Sequence, residues 1–289
     1  MAIDLGKPHV DGLSDIVNVL REWQEDGAPM QLHPGDLGWF WRAGGEATAE
    51  AVRTWSRDGR LLAVGLLDGP DLLRITTAPD ARRDRELAQR VRDDVTEPER
   101  GVLPAGSVSV EAPEGALVRD VLIARGWHAG EPWTWLRRDL AEPVEDPGVR
   151  IEVVAPEKAH VFASVHRAAF DGSTFTDGPR RAMAAGAPFT DARSLLAYDD
   201  QGSAVASVTV WSAGPGRPGV LEPMGVHRAH RNLGHGRAIS VAAAAALRRL
   251  GSSSALVGTP STHAAAVATY ESAGFRRRSE VPDVCRDGG

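Results

Sequence analysis

Apolar residues in the first half of the chain recur at spacings typical of both helices and strands. Apolar positions within residues 13–20 and within residues 87–95 lie three or four residues apart, which predicts two amphipathic helices. Between them, the apolar run "LLAVGLL" follows the turn signal Asp58-Gly59 and is typical of a buried strand. The first half is therefore predicted to be of mixed α/β type.

The second half alternates strand and helix patterns in the same way. Residues 162–169 favour a helix, and "SLLAYDDQGSAVASVTVW" predicts two strands joined by a polar turn at Gly202. A strand "GVLEPMGV", a helix after Gly236 and a strand "SALVGT" follow. A last helix is predicted from about Ser261, capped by Thr262, to Ala273. Each half thus predicts a mixed, largely antiparallel sheet with flanking helices.

A domain boundary is predicted in "RDLAEPVEDPGVR", residues 138–150. Prolines, acids and a glycine interrupt the apolar periodicity there, and a new strand pattern begins at "IEVV". We therefore expect two domains, residues 1–145 and residues 150–289.

Charge and composition exclude several classes of function. The net charge of −6 is spread along the chain without a basic block, so we expect no nucleic-acid partner. The only cysteine, Cys285, allows no intrachain disulfide, which fits a cytoplasmic location. No uninterrupted apolar stretch approaches the roughly 18 residues of a spanning helix, so we expect no membrane partner.

Two other groups of residues predict structure rather than chemistry. His227, His230 and His235 cross a loop without a carboxylate at ligand spacing, so no metal site is expected. Seven of the eight tryptophans lie in the first half. For these, including Trp133 and Trp135, aromatic core packing is the main expectation, with an acceptor pocket or the interface between the halves as the alternatives.

The loop "RNLGHGRA", residues 231–238, has the properties of a phosphate-binding helix entrance. A helix N-terminus offers unpaired N–H groups to an anion, Gly234 and Gly236 allow close approach, and Arg231 adds positive charge. An ordinary tight turn into a helix is the alternative. Neither a Walker A loop nor a dinucleotide fingerprint fits, because no Gly-Lys-Ser/Thr follows and Ile239 replaces the third glycine.

A faint internal repeat links the two halves. "LVRDVLIARGW" parallels "AVATYESAGF", and aligning Gly126 with Gly274 places Leu122 opposite Tyr270. When this alignment is shifted by one residue, Arg85 at the start of the earlier helix stands opposite Gly234, the first loop glycine. Only the second half therefore keeps the glycines and the tyrosine.

These residues resemble a known superfamily over roughly residues 150–281. "VLEPMGVHRAHRNLGHGRA", the helix and strand that follow, and "HAAAVATYESAGF" resemble the acetyl-CoA-binding half of GNAT N-acetyltransferases. In that superfamily a Gln/Arg-x-x-Gly-x-Gly/Ala loop binds the CoA pyrophosphate, and a later helix carries a Tyr just before Gly-Phe. Over residues 1–145, element order and the repeat are similar to a tandem GNAT protein with a degenerate N-terminal half.

The resemblance implies acetyl-CoA as co-substrate and indicates which residues contact it. The strand before the loop would bind pantetheine through its backbone, and Pro223 in it favours a bulge or an open edge. The loop would hold the pyrophosphate, and His263 stands where the family often has a pantetheine-binding Asn. The implied cofactor-binding residues are Met224, Val226, Arg231, Asn232, Leu233, Gly234, His235, Gly236, Arg237 and His263.

The implied reaction is attack of an amine on the thioester. An alkylammonium of pKa about 10 must first lose a proton. Glu222 on the predicted strand is the candidate base, with a surface carboxylate or an Arg partner as the alternative and His166 or Asp177 as other bases. Tyr270 is the candidate acid for the thiolate, of pKa about 8.5; its alternative is packing alone.

The resemblance leaves the acceptor open. It implies a primary amine on a small molecule or peptide, acted on by a monomer or homodimer. One alternative is an acyltransferase similar to mycothiol synthase. Another is a non-catalytic acyl-CoA-binding regulatory protein, which would need Arg231, Gly234 and Gly236 but not Glu222 or Tyr270.

Overall fold

A single twelve-stranded sheet runs through the computed structural model, which describes residues 2–288. The first half supplies strands β1 (Asp4–Gly6), β2 (Val52–Arg57), β3 (Arg60–Leu67), β4 (Leu72–Thr77), β5 (Val108–Glu111) and β6 (His128–Asp139). Its helices are α1 (Leu13–Glu22), α2 (Pro34–Phe40), α3 (Gly45–Ala51), α4 (Arg85–Thr96) and α5 (Leu117–Ile123).

The second half repeats this order of elements with one helix fewer after its first strand. Its strands are β7 (Arg150–Val153), β8 (Ala192–Tyr198), β9 (Ala204–Ser212), β10 (Gly219–Val226), β11 (Ser254–Pro260) and β12 (Arg276–Arg286). Its helices are α6 (Ala159–Ala169), α7 (Asp177–Ala185), α8 (His235–Arg249) and α9 (Ala264–Ser272). Every helix and strand predicted from the apolar pattern is present.

The start of the last helix differs from the prediction. Its N-cap is His263 rather than Thr262, and no side chain caps it. The Thr262 hydroxyl instead donates a hydrogen bond to Glu131 Oε1 at 2.6 Å. A partner from the first half therefore takes the hydroxyl that the sequence pattern assigned to capping.

The last strand of each half lies in the part of the sheet built by the other half. The strand order is β1-β2-β3-β4-β5-β12-β6-β11-β10-β9-β8-β7, so β6 pairs antiparallel with β11 and β12 pairs antiparallel with β5. Accordingly, Leu136 of β6 is buried in the core of the second half and Val284 of β12 in the core of the first. The two halves are thus interleaved through two exchanged strands.

Small residues let α8 lie close to the sheet. Its alanines from Ala242 to Ala244 are buried, and α8 packs on β8, β9 and β10. Alanine combines high helix propensity with a short side chain, so the helix axis can approach the strands closely. This packing anchors the loop that precedes α8.

Two parallel strands of the second half separate near the middle of the sheet. β10 and β11 pair only at Gly219 with Ala255 and at Val220 with Leu256. Farther along β10, the register against β9 shifts between Leu221 and Met224. The bulge or open edge predicted at Pro223 is confirmed, and a cleft opens between β10 and β11.

Candidate active site

The cleft between β10 and β11 continues into a cavity of about 1090 Å³. Second-half residues of β10, β11, α9 and the loop before α8 line one part of it, and first-half residues line another part. A cavity of this size suits a cofactor arm and an acceptor together. Both halves of the chain therefore contribute to one site.

The loop before α8 leaves a helix N-terminus open to the cavity. Gly234 is the N-cap, has a positive φ of 84°, and no side chain caps the helix. Asn232 also has a positive φ, 63°, and both residues line the cavity. A Cβ on Gly234 would meet no atom within 4 Å, so the space beside it is free. Uncapped first-turn N–H groups beside free space are suited to bind a phosphate.

The second loop glycine also allows close packing of two helices. A Cβ on Gly236 would lie 2.8 Å from Thr269 Cγ2, so its absence lets α8 pack against α9. Gly236 still lines the cavity. Open access for an anion is thus provided at Gly234, whereas Gly236 is explained by helix packing.

The charged loop residues reach the cavity, but two other predicted residues do not. Arg231 lines it and donates from Nη2 to Ala169 O at 2.8 Å; Arg237 lines it and donates from Nε to Ser272 O at 3.0 Å. Leu233 is 64% exposed and His235 is buried against His230, with neither among the cavity residues. For these two residues a cofactor contact stays a prediction that depends on the backbone N–H groups of the loop rather than on the side chains.

The strand and helix residues predicted to contact pantetheine border the cleft. Met224 and Val226 line the cavity, and their strand pairs with β9 on one side only, since its pairing with β11 ends at Val220. Unpaired strand edges can bind an extended, amide-containing ligand. His263, exposed at the start of α9, lines the cavity as well.

Glu222 lies in the cavity among other acidic groups. Its side chain is partly buried, its Oε1 lies 4.0 Å from Arg74 Nη1, and the Asp36 carboxyl is nearby. Removal from bulk water and the nearby Asp36 charge raise the pKa of Glu222 well above its usual value. Glu222 is therefore not an exposed surface carboxylate. It lies near an arginine, as the other alternative predicted, and it also lines the cavity.

Arg74 lies close to carboxylates from several elements of the chain. Its Nη1 lies 3.0 Å from Asp36 Oδ1 and 3.6 Å from Asp68 Oδ2, and its Nε lies 2.9 Å from Glu111 Oε2. These residues line the cavity from α2, from the turn after β3 and from β5. Sequence reasoning missed this group, although an arginine inside the apolar strand "LLRITT" was a signal that a buried charge needs partners.

Tyr270 is buried yet reaches the cavity. Its side chain is 5% exposed, its ring centroid lies 5.9 Å from that of Phe275, and its hydroxyl bonds no other described residue. Burial and the nearby Glu222 charge raise the pKa of Tyr270 above its usual value. The phenol therefore keeps its proton near neutral pH, as a proton donor must.

The other two candidate bases lie outside the cavity. His166 is buried among Trp39, Phe170 and Phe175, and burial lowers its pKa to about 4. Asp177 begins α7. Neither lines the cleft, so neither is placed to deprotonate a substrate there.

Two tryptophans of the exchanged strand β6 line the cavity. The ring centroids of Trp133 and Trp135 lie 6.5 Å apart in a stacked arrangement. A Cβ on Gly258 of β11 would overlap the Trp135 ring, so the absent side chain makes room for the indole. For this pair the expectation of core packing is wrong, because the strand exchange carries them to the cleft.

The corresponding helix entrance in the first half is closed. α4 begins at Arg85, and its N-cap Asp84 accepts a hydrogen bond from Leu87 N at 2.9 Å and pairs with Arg57 at 3.0 Å. The counterpart of Gly234 is thus Asp84, one residue earlier than the Arg85 predicted. A carboxylate of the chain itself already caps the N–H groups, which leaves no place for a phosphate.

The other end of the repeat aligns as predicted. Trp127 N donates to Leu122 O at 3.2 Å, and Phe275 N donates to Tyr270 O at 3.1 Å, in the same helix-ending turn. The equivalence of Leu122 and Tyr270 is confirmed. The first half has no phenol at this place.

The split strands, the open helix entrance and the buried tyrosine lie around one cleft. Residues 163–275 match the acetyltransferase (GNAT) family. No curated protein matches the chain significantly in sequence.

Solved structures share this fold over nearly the whole chain. A GCN5-related N-acetyltransferase from Sphaerobacter thermophilus is 17% identical, with a TM-score of 0.60 over 99% of this chain and 95% of that one. A tandem GNAT protein from the clavulanic acid biosynthesis pathway is 14% identical, with a TM-score of 0.61 over 99% of both chains. A GNAT-family acetyltransferase from Colwellia psychrerythraea is 13% identical, with a TM-score of 0.60 over 98% of this chain and 99% of that one. The predicted tandem α/β fold is confirmed.

None of the helices within residues 2–288 is both long and apolar enough to cross a membrane.

Proposed function

We propose that this protein transfers the acetyl group of acetyl-CoA to a primary amine of a small molecule or peptide. The observation that carries the proposal is one cavity with an uncapped helix N-terminus at Gly234 and, in its wall, Glu222 and the buried Tyr270. An anion site and a proton acceptor and donor in one cleft are what direct acetyl transfer requires.

The chain offers groups suited to each part of acetyl-CoA. The first-turn N–H groups of α8, with Arg231 and Arg237 beside them, would hold the pyrophosphate. The free edge of β10 at Met224 and Val226 would bind the pantetheine amides, with His263 across the cleft. When bound, acetyl-CoA supplies the thioester whose acyl carbon is attacked.

Glu222 and Tyr270 would handle the two protons of the reaction. Glu222 accepts a proton from the ammonium group. Because the pKa of Glu222 is raised, it differs less from the amine pKa of about 10, which favours this proton transfer. The free amine then forms the C–N bond while the C–S bond breaks. Tyr270 donates its proton to the departing sulfur, since its raised pKa keeps the phenol protonated until a thiolate forms.

Two alternatives share the cofactor site but differ in chemistry. An acyltransferase similar to mycothiol synthase would form an amide on an amino-sugar thiol, and the tandem fold is compatible with it. A non-catalytic acyl-CoA-binding protein would use Gly234 without depending on Tyr270. Turnover distinguishes the non-catalytic protein from the two enzymes. The acceptor that is acylated distinguishes the N-acetyltransferase from the enzyme similar to mycothiol synthase.

The test is release of the CoA thiol from acetyl-CoA in the presence of a panel of primary amines. We expect Tyr270→Phe to lower kcat about 100-fold or more, with acetyl-CoA affinity unchanged. Tyr198→Phe is the matched control: it removes the hydroxyl of the second of the chain's two tyrosines, which is buried outside the cavity.

Equal kcat values for Tyr270→Phe and Tyr198→Phe would remove Tyr270 from the mechanism. Tight acetyl-CoA binding with no acetylated amine in the panel would favour the non-catalytic protein.

A further inference from the structure

The part of the cavity built by the first half has a chemistry that the acetyl transfer itself does not require. We call it the first-half wall, formed by Asp36, Asp68, Arg74, Glu111 and the Trp133–Trp135 pair. Its acids meet at Arg74, whose Nη1 lies 3.6 Å from Asp68 and 4.0 Å from Glu222. The wall therefore adjoins the candidate base.

Negative charge exceeds positive charge around this wall. The acids that interact there are Asp36, Asp68, Glu111, Glu222 and Asp283, and the guanidinium groups that face them are Arg42, Arg74 and Arg119. The remaining titratable neighbour, His33, is neutral because burial lowers its pKa to about 4. With all acids ionised, two negative charges lack a partner.

The surplus negative charge is energetically costly because these carboxylates are close together and partly removed from water. Burial, together with the neighbouring acids, raises the pKa of both Glu111 and Glu222. Such crowding is relieved when a cation enters. An organic cation fits this wall better than a bare metal ion, because the Arg74 guanidinium already lies among the carboxylates. In addition, no three His, Cys, Asp or Glu side chains within residues 2–288 are arranged to hold a metal ion.

Two further features of the same cavity indicate an organic ligand. The tryptophan pair offers indole faces, which attract both ammonium groups and methylene chains. The Tyr270 hydroxyl, on a side chain 5% exposed, faces the cavity without a hydrogen-bond partner among the described residues. A hydroxyl at the cavity wall without a protein partner is available to hydrogen-bond a bound ligand.

We propose that the acceptor is a small amine with a second cationic group, which the first-half wall binds. One nitrogen lies at Glu222 and is acetylated, while the other remains an ammonium at Asp68 and Glu111 beside the tryptophans. This inference rests on the proposed function for the transferred group, but the binding site itself does not depend on turnover. It assigns acceptor recognition to the half that has lost its phosphate site.

The test is calorimetric titration of the full chain, saturated with CoA at about 0.15 M salt, with a diamine and a monoamine. The probes are 1,4-diaminobutane and butylamine, which share chain length but differ by one ammonium group. We expect the diamine to bind at least tenfold more tightly. Asp68→Asn, which changes charge but hardly shape, should reduce this preference to about twofold or less. Asp71→Asn is the matched control, because Asp71 lies in the same turn but is exposed outside the cavity.

Equal affinities of the wild type for the two probes, no measurable binding of the diamine, or an unchanged preference in Asp68→Asn would each overturn the inference. Thiol release in the presence of acetyl-CoA is measured in parallel. A diamine that binds through Asp68 but is never acetylated would refute the proposed transferase activity while the cationic site stands. If both probes bind with equal affinity and are acetylated with equal efficiency, the proposed transferase activity stands and the cationic site is refuted.

Discussion

Filling the space beside Gly234 separates cofactor binding from folding. The φ of Gly234 is +84° and a Cβ there meets nothing within 4 Å, so Gly234→Trp places an indole in the free space at the helix entrance. The same space is where the proposed pyrophosphate lies. The substitution therefore blocks the ligand without displacing neighbouring atoms of the chain.

The two consequences differ in size. An L-residue in the left-handed region costs about 1–2 kcal/mol, a fraction of the roughly 5–15 kcal/mol that stabilises an ordinary domain. The blocked pyrophosphate loses two or three charge-assisted hydrogen bonds of about 1.5–3 kcal/mol each. It also loses the helix-end interaction, of up to about 1 kcal/mol. The sum exceeds about 3 kcal/mol, so we expect the Kd for acetyl-CoA to rise at least about 100-fold in a folded protein.

Calorimetric titration with acetyl-CoA measures this effect, and Gly202→Trp is its control. Gly202 has a φ of +80° and the same open surroundings, but it lies in the turn between β8 and β9, outside the cavity. Both variants should lose similar stability on thermal unfolding, and only Gly234→Trp should lose acetyl-CoA. Equal binding by the two folded variants, or no binding by the wild type, would refute the phosphate assignment.

Three further predictions follow from the geometry. Glu222 must be deprotonated to act as a base, so kcat is expected to rise as pH rises through the raised pKa of Glu222. Asp36→Asn removes one of the charges that raise this pKa, and should move the acid limb of the kcat–pH profile to lower pH by on the order of one unit. An unmoved acid limb would contradict the interaction between Asp36 and Glu222. Leu136→Ala, at a fully buried position of the exchanged strand β6, should lower the free energy of unfolding in urea by about 2–5 kcal/mol, against less than about 0.5 kcal/mol for Val153→Ala, which is 54% exposed. Residues 150–289 expressed alone lack β6 beside β11 and should not give a cooperative unfolding transition; a stable, cooperatively unfolding fragment would show that the exchanged strand is dispensable.

Local patterns in the sequence were sufficient for the elements and for the loop and tyrosine that border the cavity. Helical spacing identified α1 and α4, and Pro223 indicated the bulge that opens β10. The glycine before α8 and the tyrosine near the end of α9 lie within a few residues of the turns that position them. Such signals are readable because each depends on φ, capping or periodicity over a short stretch.

The acceptor end has no comparable signal. Arg74, Asp36 and Glu111 come from different elements of the first half and meet Glu222 of the second half only in the folded chain. The exposure of Leu233 beside Gly234, which lines the cavity, was likewise not readable, because a side chain's direction depends on backbone angles rather than on its place in a motif.

By itself, the sequence determined a tandem α/β protein with a glycine-containing helix entrance in its second half, since these features arise from interactions between near neighbours along the chain. The tertiary structure alone decided that β6 and β12 exchange places and that Trp135 and Arg74 reach the cavity of the second half. Strand order depends on contacts between residues far apart in sequence, and those contacts leave no local pattern.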